Sequence, residues 1–273
     1  MFQPNKISGK IYGQYLLGIN HPSKIRIQNL IGKNCFKNGI ELQDEHGVKL
    51  NLNANDWITR IILMEGNYEN ASTALAKELL LNGGVCIDIG ANFGLFTCIA
   101  ATGNNKVKVI AIEPNYKILT DLIKNLELNN LQDRVQVRNV AAGQKIEWVT
   151  MYQPNEDNVG TTQTKAGGDN LLSILSCSLE YICSSSGIEK IKLIKIDIEG
   201  NEFAVFENFS FEKFFVENIL IEYNHLSPIS FEDLKAFFKE KGFDGYSVSG
   251  KLLADDATEI EENNIWFKNV SAS

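Results

Sequence analysis

The sequence predicts an α/β fold, a doubly wound and mostly parallel sheet preceded by a β-rich extension, and three observations carry that expectation. Predominantly apolar runs recur at residues 85–89, 107–112, 191–196 and 219–223, as strands buried on both faces require. Between them lie stretches with apolar residues at helical spacing, such as Ile118, Leu119, Leu122, Ile123 and Leu126. A turn bearing Gly90 and Gly94 follows the first run directly and leads into a helix, as in ligand-binding strand-turn-helix units.

The elements follow in order. Alternation over residues 39–43 and 48–52, around the turn segment Asp44-Glu-His-Gly47, predicts a hairpin. Residues 1–60 are therefore expected to form a β-rich cover over a main domain of 61–273. A helix is expected over 70–82, with Asn70 as N-cap and Gly83-Gly84 as its stop. The first core strand spans 85–89, the second 107–112, the third 135–141. Residues 146–170 break the rhythm. Trp148 to Tyr152 suit an added strand, and the Asn- and Gly-rich remainder is loop chemistry, expected to act as a substrate lid. Strands near 191–196 and 219–223, helices near 202–209 and 231–241, and strands near 246–248 and 265–267 complete the chain. In such sheets ligands lie at the carboxyl ends of the strands, where the strand order reverses.

Composition narrows the function. The 273 residues carry a net charge of -8, with no basic stripe and interleaved aromatics, so a nucleic-acid partner is not expected. No apolar run approaches the length of a membrane span. The first residues lack a continuous apolar segment, and a cytoplasmic location is expected. Five cysteines, at 35, 86, 98, 177 and 183, form no C-x-x-C pair and are read as packing residues.

The turn after the first strand decides between two ligand classes. A dinucleotide turn needs G-x-G-x-x-G, whose second glycine lets backbone approach the pyrophosphate. Asn92 stands in that place here, and Asp88 puts a carboxylate beside the turn, where it repels phosphate. S-adenosylmethionine has no phosphate and carries an ammonium and a sulfonium, which Asp88 suits. Gly90 and Gly94 keep the turn close, and Glu113, ending the second strand, is placed to accept hydrogen bonds from both ribose hydroxyls. Tyr68 and Glu69 are expected over the methionine end. Asn139, through its side chain, and Val140, through its backbone, are expected at the adenine edge, Val140 having plain core as its other reading.

Beyond this cofactor half, Leu193-Ile-Lys-Ile-Asp-Ile-Glu-Gly-Asn-Glu-Phe203, Val85-Cys-Ile-Asp-Ile-Gly-Ala-Asn-Phe-Gly94, Glu113-Pro-Asn115 and Gly66-Asn-Tyr-Glu69 resemble the FkbM family of S-adenosylmethionine-dependent methyltransferases. The resemblance covers roughly residues 40–225. It implies a Rossmann-like class I methyltransferase fold and O-methylation of a hydroxyl on a small molecule or sugar, in natural-product or glycan biosynthesis. It also implies cofactor contacts from Glu69, Asp88, Gly90, Ala91, Asn92, Gly94, Glu113, Pro114 and Asn115. Where a Thr-Leu-Asp segment is usual in the family, this chain has Ser178-Leu-Glu180. An N-methyltransferase acting on an amine, and a cofactor-binding protein without catalysis, are the alternative readings.

For the chemistry, Asp197 and Glu199 stand at the end of the fourth strand, where strand alternation points both to one side. His225, after the fifth strand, is the candidate general base, because an imidazole titrates in the right range; its other reading is structural. His21 and His46 fall in the cover. Asp197, Glu222 and Asn224 also form a partial oxygen shell for a divalent metal such as Mg2+, a reading that is not favoured. Glu199 and Glu202 have a competing role at the start of the following helix.

Overall fold

The structure is a computed structural model that describes residues 1–18, 23–153, 170–198, 200–224, 226–254, 257 and 263–272. In chain order its strands are β1 (Gln3–Pro4), β2 (Ile40–Gln43), β3 (Lys49–Leu52), β4 (Gly84–Ile89), β5 (Val107–Ile112), β6 (Val135–Arg138), β7 (Ala141–Gly143), β8 (Glu147–Gln153), β9 (Asn170–Ser178), β10 (Lys190–Ile191), β11 (Leu193–Ile196), β12 (Phe215–Val216), β13 (Asn218–Glu222), β14 (Phe243–Ser247) and β15 (Asn264–Asn269). The helices are α1 (Ile7–Leu17), α2 (Lys24–Cys35), α3 (Trp57–Glu65), α4 (Asn70–Leu79), α5 (Leu95–Thr102), α6 (Tyr116–Leu128), α7 (Leu179–Ser185), α8 (Glu202–Phe206) and α9 (Phe231–Glu240).

The central sheet runs β14-β15-β13-β11-β4-β5-β6. Neighbours from β13 through β6 pair in parallel, and β15 alone lies antiparallel to both its neighbours. Sequential strands leave β4 toward β5 and β6 on one side, and the later ones build from β11 outward on the other. The reversal opens a crevice at the carboxyl ends of β4 and β11. All four residues of β11 and the last four of β4 are buried, which accounts for their predominantly apolar composition.

Two apolar cores flank this sheet. One contains a phenylalanine cluster in which Phe238 stacks on Phe267 with centroids 4.4 Å apart. The other is continuous with the N-terminal segment: Phe2, Tyr12, Leu42, Leu50 and Ile62 belong to the same cluster as Leu75, Cys98 and Leu122. The expected hairpin is β2 and β3, joined to β1 in a three-stranded antiparallel sheet. Three helices accompany it that the alternation did not signal. Of these, α3 is fixed by Asp56, whose side chain accepts from the amides of Ile58 and Thr59, and it stops at Gly66 with φ 78°.

Several boundaries move. The third strand ends at Arg138 and not at Ala141, because the chain turns at Asn139 and Val140 and Ala141 joins a separate sheet, β7-β9-β8. That sheet replaces the ends of the expected 146–170 loop with paired strands; residues 154–169, the body of the expected lid, lie outside the described residues. The N-cap of α4 is Glu69, in the left-handed region at φ 52°, and Asn70 is already helical. Four of the five cysteines are buried and all are free. Among the described residues no helix is long and apolar enough to cross a membrane.

Candidate active site

A cleft opens over the crevice between β4 and β11. Its floor is the turn Gly90, Ala91, Asn92; Glu113 and Pro114 rise from the end of β5, Lys195, Asp197 and Ile198 from β11, and Glu222 from β13. Tyr68, Glu69 and Trp57 close it from the N-terminal side, and Met151 of β8 reaches in from the inserted sheet. A smaller apolar hollow continues past Gly90 and Pro114 to Ile112, Ala141 and Ala142.

The turn is built by close approach. Gly90 has φ 83°, and a Cβ there would lie 1.9 Å from the Asp197 carbonyl oxygen, so the segments that follow β4 and β11 lie too close there for any side chain. The amides of Gly90 and Ala91 both donate to the Ile112 carbonyl at 3.0 Å. Asn92, at φ 51°, holds its left-handed conformation by accepting the Phe93 amide on Oδ1. Its own amide donates to Glu113 Oε2 at 2.8 Å, while the Asn115 amide donates to Oε1 at the same distance. Glu113 is thus aimed by two backbone donors. Burial, only partly offset by these bonds, pushes its carboxyl up to about 7.

At the far end of the cleft an ammonium sits among carboxylates. Lys195 Nζ is 3.0 Å from Asp197 Oδ2 and 4.0 Å from Asp88 Oδ1, and lies 5.7 Å over the Phe96 ring. Burial alone would lower its pKa; Asp197, Asp88 and Glu69 outweigh that and raise it. Asp197 is a mirror case: burial raises its carboxyl, but Lys195 and a hydrogen bond with Glu222 hold it below the ordinary range. Glu69, with no comparably close cation, is pushed by burial up to about 7. Burial and the neighbouring carboxylates raise the Tyr68 phenol.

The expected residues divide accordingly. Glu69, Gly90, Ala91, Asn92, Glu113, Pro114 and Asp197 share the cleft. Asp88 does not line it. It is fully buried behind Lys195, its Oδ2 bonded to the Thr97 hydroxyl and its Oδ1 without a hydrogen-bond donor. Gly94 packs behind the turn, where a Cβ would meet Leu122 at 2.4 Å. Asn115 is the N-cap of α6, accepting the Lys117 amide. Asn139 spends its side-chain amide on the carbonyls of Glu113 and Pro114, at 2.8 and 3.0 Å, and braces that corner instead of lining the cleft. Val140 is packed against the second core. His225 and Glu199 lie outside the described residues, as does His21.

For the metal reading, Asn224 turns its side-chain oxygen to the Leu226 amide, and Asp197 faces an ammonium and Glu222. Among the described residues no three His, Cys, Asp or Glu converge as a metal set. The expected helix-start role of Glu202 is observed in a local form: its carboxylate accepts the amides of Ile198 and Gly200 and ties down the turn after β11.

Lys195, Trp57 and Met151 are among the cleft residues that the sequence reading did not assign to the site. Lys195 was signalled by its position, a lysine inside a strand otherwise apolar on both faces. Trp57 and Met151 carried no signal, since only tertiary folding brings them to the cleft.

A doubly wound sheet carrying a glycine turn at its reversal point and an acid at the end of the next strand has the class I methyltransferase fold. The chain belongs to the Methyltransferase FkbM domain family, whose profile matches residues 88–244. Methyltransferase sdnD of Sordaria araneosa is 28% identical over 189 residues, 58% of this chain and 73% of that protein. The AMB antimetabolite synthetase AmbE of Pseudomonas aeruginosa is 26% identical over 202 residues, which are 61% of this chain and 9% of the synthetase. Among solved structures, a Methyltransferase FkbM from Methylobacillus flagellatus KT aligns with TM-score 0.43 and 15% identity, covering 68% of this chain and 44% of that one. A SAM-dependent O-methyltransferase from Thermotoga maritima aligns with TM-score 0.43 and 14% identity, covering 87% and 81%.

Proposed function

We propose that the protein transfers a methyl group from S-adenosylmethionine to a hydroxyl of a small molecule or sugar. The observation that carries this reading is the convergence on one cleft of the Gly90 turn, Glu113 and the acids Glu69, Asp197 and Glu222. The residues present suit the cofactor in chemistry and shape. Glu113 is a fixed acceptor for ribose hydroxyls, with Asn92 and Asn115 aiming it and Asn139 bracing its backbone. Gly90, Ala91 and Gly94 keep the turn open, and Pro114 borders the apolar hollow that suits an adenine. Glu69 and Asp197 face the cationic methionine end, and Asp88 acts on it through Lys195. Bound there, the cofactor supplies an electrophilic methyl group on sulfur.

The chain's own work is then alignment and proton removal. The acceptor oxygen bonds to the methyl carbon as the carbon–sulfur bond breaks with its electron pair going to sulfur. The hydroxyl proton passes to a protein base. Asp197, Glu199 and His225 are the groups we assign to this role. Residues 1–60 serve as a cover on the 61–273 domain, and the 146–170 insertion borders the acceptor side through Met151. The acidic wall favours one further reading, an amine acceptor, whose charge the same carboxylates would hold. Mass spectrometry of hydroxyl and amine acceptors incubated with methyl-labelled cofactor tests the proposal. Label on oxygen is the expected result; label on nitrogen alone selects the second reading, and label on neither across a broad panel contradicts both.

A further inference from the structure

We propose that Lys195 is a positioning residue whose ammonium aims the Asp197 carboxylate into the cleft, beside Glu222, and separates it from Asp88. The inference rests on the methyltransferase reading above and adds to it a residue with no contact to cofactor or acceptor assigned.

The geometry has three parts. First, Lys195 of β11 and Asp197, directly after its last residue and still paired through its amide to the Ile89 carbonyl, are two apart, so strand alternation puts both side chains on one face, and the ammonium reaches Oδ2 at 3.0 Å. Second, the ammonium is enclosed. The Phe96 ring covers it at 5.7 Å, and Asp88 backs it at 4.0 Å without closing a hydrogen bond, leaving Asp88 Oδ1 buried with no donor. A lysine placed only to neutralise Asp88 would close that bond; this one is drawn forward to Asp197. Third, Asp197 also shares a hydrogen bond with Glu222 across the β11–β13 seam. The neighbouring ammonium keeps Asp197 ionised. The other titratable groups facing this cluster are Glu69 and Tyr68 from the N-terminal side, Cys86 from β4, Glu113 from β5 and Glu202 from α8. All are acids, so Lys195 is the one cation at the cleft among the described residues.

The test uses Lys195→Met, which keeps much of the volume, and the double variant Asp88→Asn/Lys195→Met, which removes a buried charge of each sign and so avoids an unpaired Asp88. With S-adenosylhomocysteine binding as the check on folding, we expect kcat to fall roughly 100-fold in both, as for a misplaced catalytic group. The acid limb of the kcat–pH profile should move to higher pH, because Asp197 loses the ammonium that depresses its pKa. Recovery of turnover in the double variant would overturn the proposal, since Lys195 would then serve only to neutralise Asp88. A second readout is independent of turnover: carboxyl 13C NMR of aspartate-labelled protein, with Asp197 assigned through Asp197→Asn. The Asp197 signal should titrate at higher pH in either Lys195 variant, and an unchanged titration contradicts the inference. If wild type methylates no acceptor while this signal still shifts, the functional reading fails and the positioning role stands.

Discussion

At the scale of single residues, the cleft is defined by carboxyls held in unequal environments. Asp197 and Glu69 face one cavity, yet the first is kept ionised by an ammonium at 3.0 Å while burial pushes the second up to about 7. A stability consequence follows from the sign of the Glu69 shift. Its folded pKa lies above the ordinary 4.5, so between roughly 4.5 and 7 the folded protein holds a proton that the unfolded chain has released. Its contribution therefore falls as pH rises through that window and is constant above it. Glu69→Gln should remove the effect: the variant should gain on wild type by about 1–3 kcal/mol between pH 5 and pH 8. Denaturant unfolding at a series of pH values measures this, and parallel curves for the two proteins would show that Glu69 titrates normally. Much of this scale was legible in the sequence. Glu113, Gly90 and Asp197 follow from strand ends and a glycine turn. Asp88 and Asn139 show the limit, because the same strand-end logic brings a side chain to the crevice but cannot say whether a nearer partner takes it. Thr97 and Lys195 take Asp88, and two carbonyls take Asn139.

At the scale of elements, the order of strand and helix in the core was readable because strands buried on both faces leave predominantly apolar runs, whereas the three N-terminal helices were not. Helix α1 carries Gly9 and Gly13 and exposes Ile7 and Ile11, so its apolar pattern has no single face. Its glycines are there for contact: a Cβ on Gly13 would lie 3.0 Å from the Leu63 carbonyl oxygen of α3. The join between the N-terminal hairpin and the core was equally hidden. Asn125 of α6, fully buried, accepts the Asn51 amide of β3 on Oδ1 and donates to the Phe93 carbonyl in the turn below the cleft, while Asn129 bonds both the amide and the carbonyl of Lys49. One side chain thus ties β3 to the turn after β4. Asn125→Ala strands a donor on one element and an acceptor on another, and should cost about 1–3 kcal/mol for each buried group left unpaired. Urea denaturation measures that loss; a change within 0.5 kcal/mol, about the size of a neutral surface substitution, would mean water replaces the amide at both positions.

For the molecule as a whole, one apolar core runs from Phe2 through the N-terminal sheet to Val248, so the N-terminal segment and the turn after β4 share packing as well as hydrogen bonds. The cleft inherits walls from three sources: the central sheet, the N-terminal segment through Trp57 to Glu69, and the inserted sheet through Met151. The sheet's part is set by topology and so follows from sequence pattern. The other two depend on how distant segments fold back, for which the pattern carries no signal. We propose that this shared cleft holds S-adenosylmethionine and not a dinucleotide. Calorimetric titration of wild type and Glu113→Ala with S-adenosylhomocysteine, and of wild type with NAD, tests it most directly. The account predicts one saturable site for S-adenosylhomocysteine, weakened by about 1–3 kcal/mol in Glu113→Ala, and no binding of NAD. Binding of NAD with no heat from S-adenosylhomocysteine would contradict it.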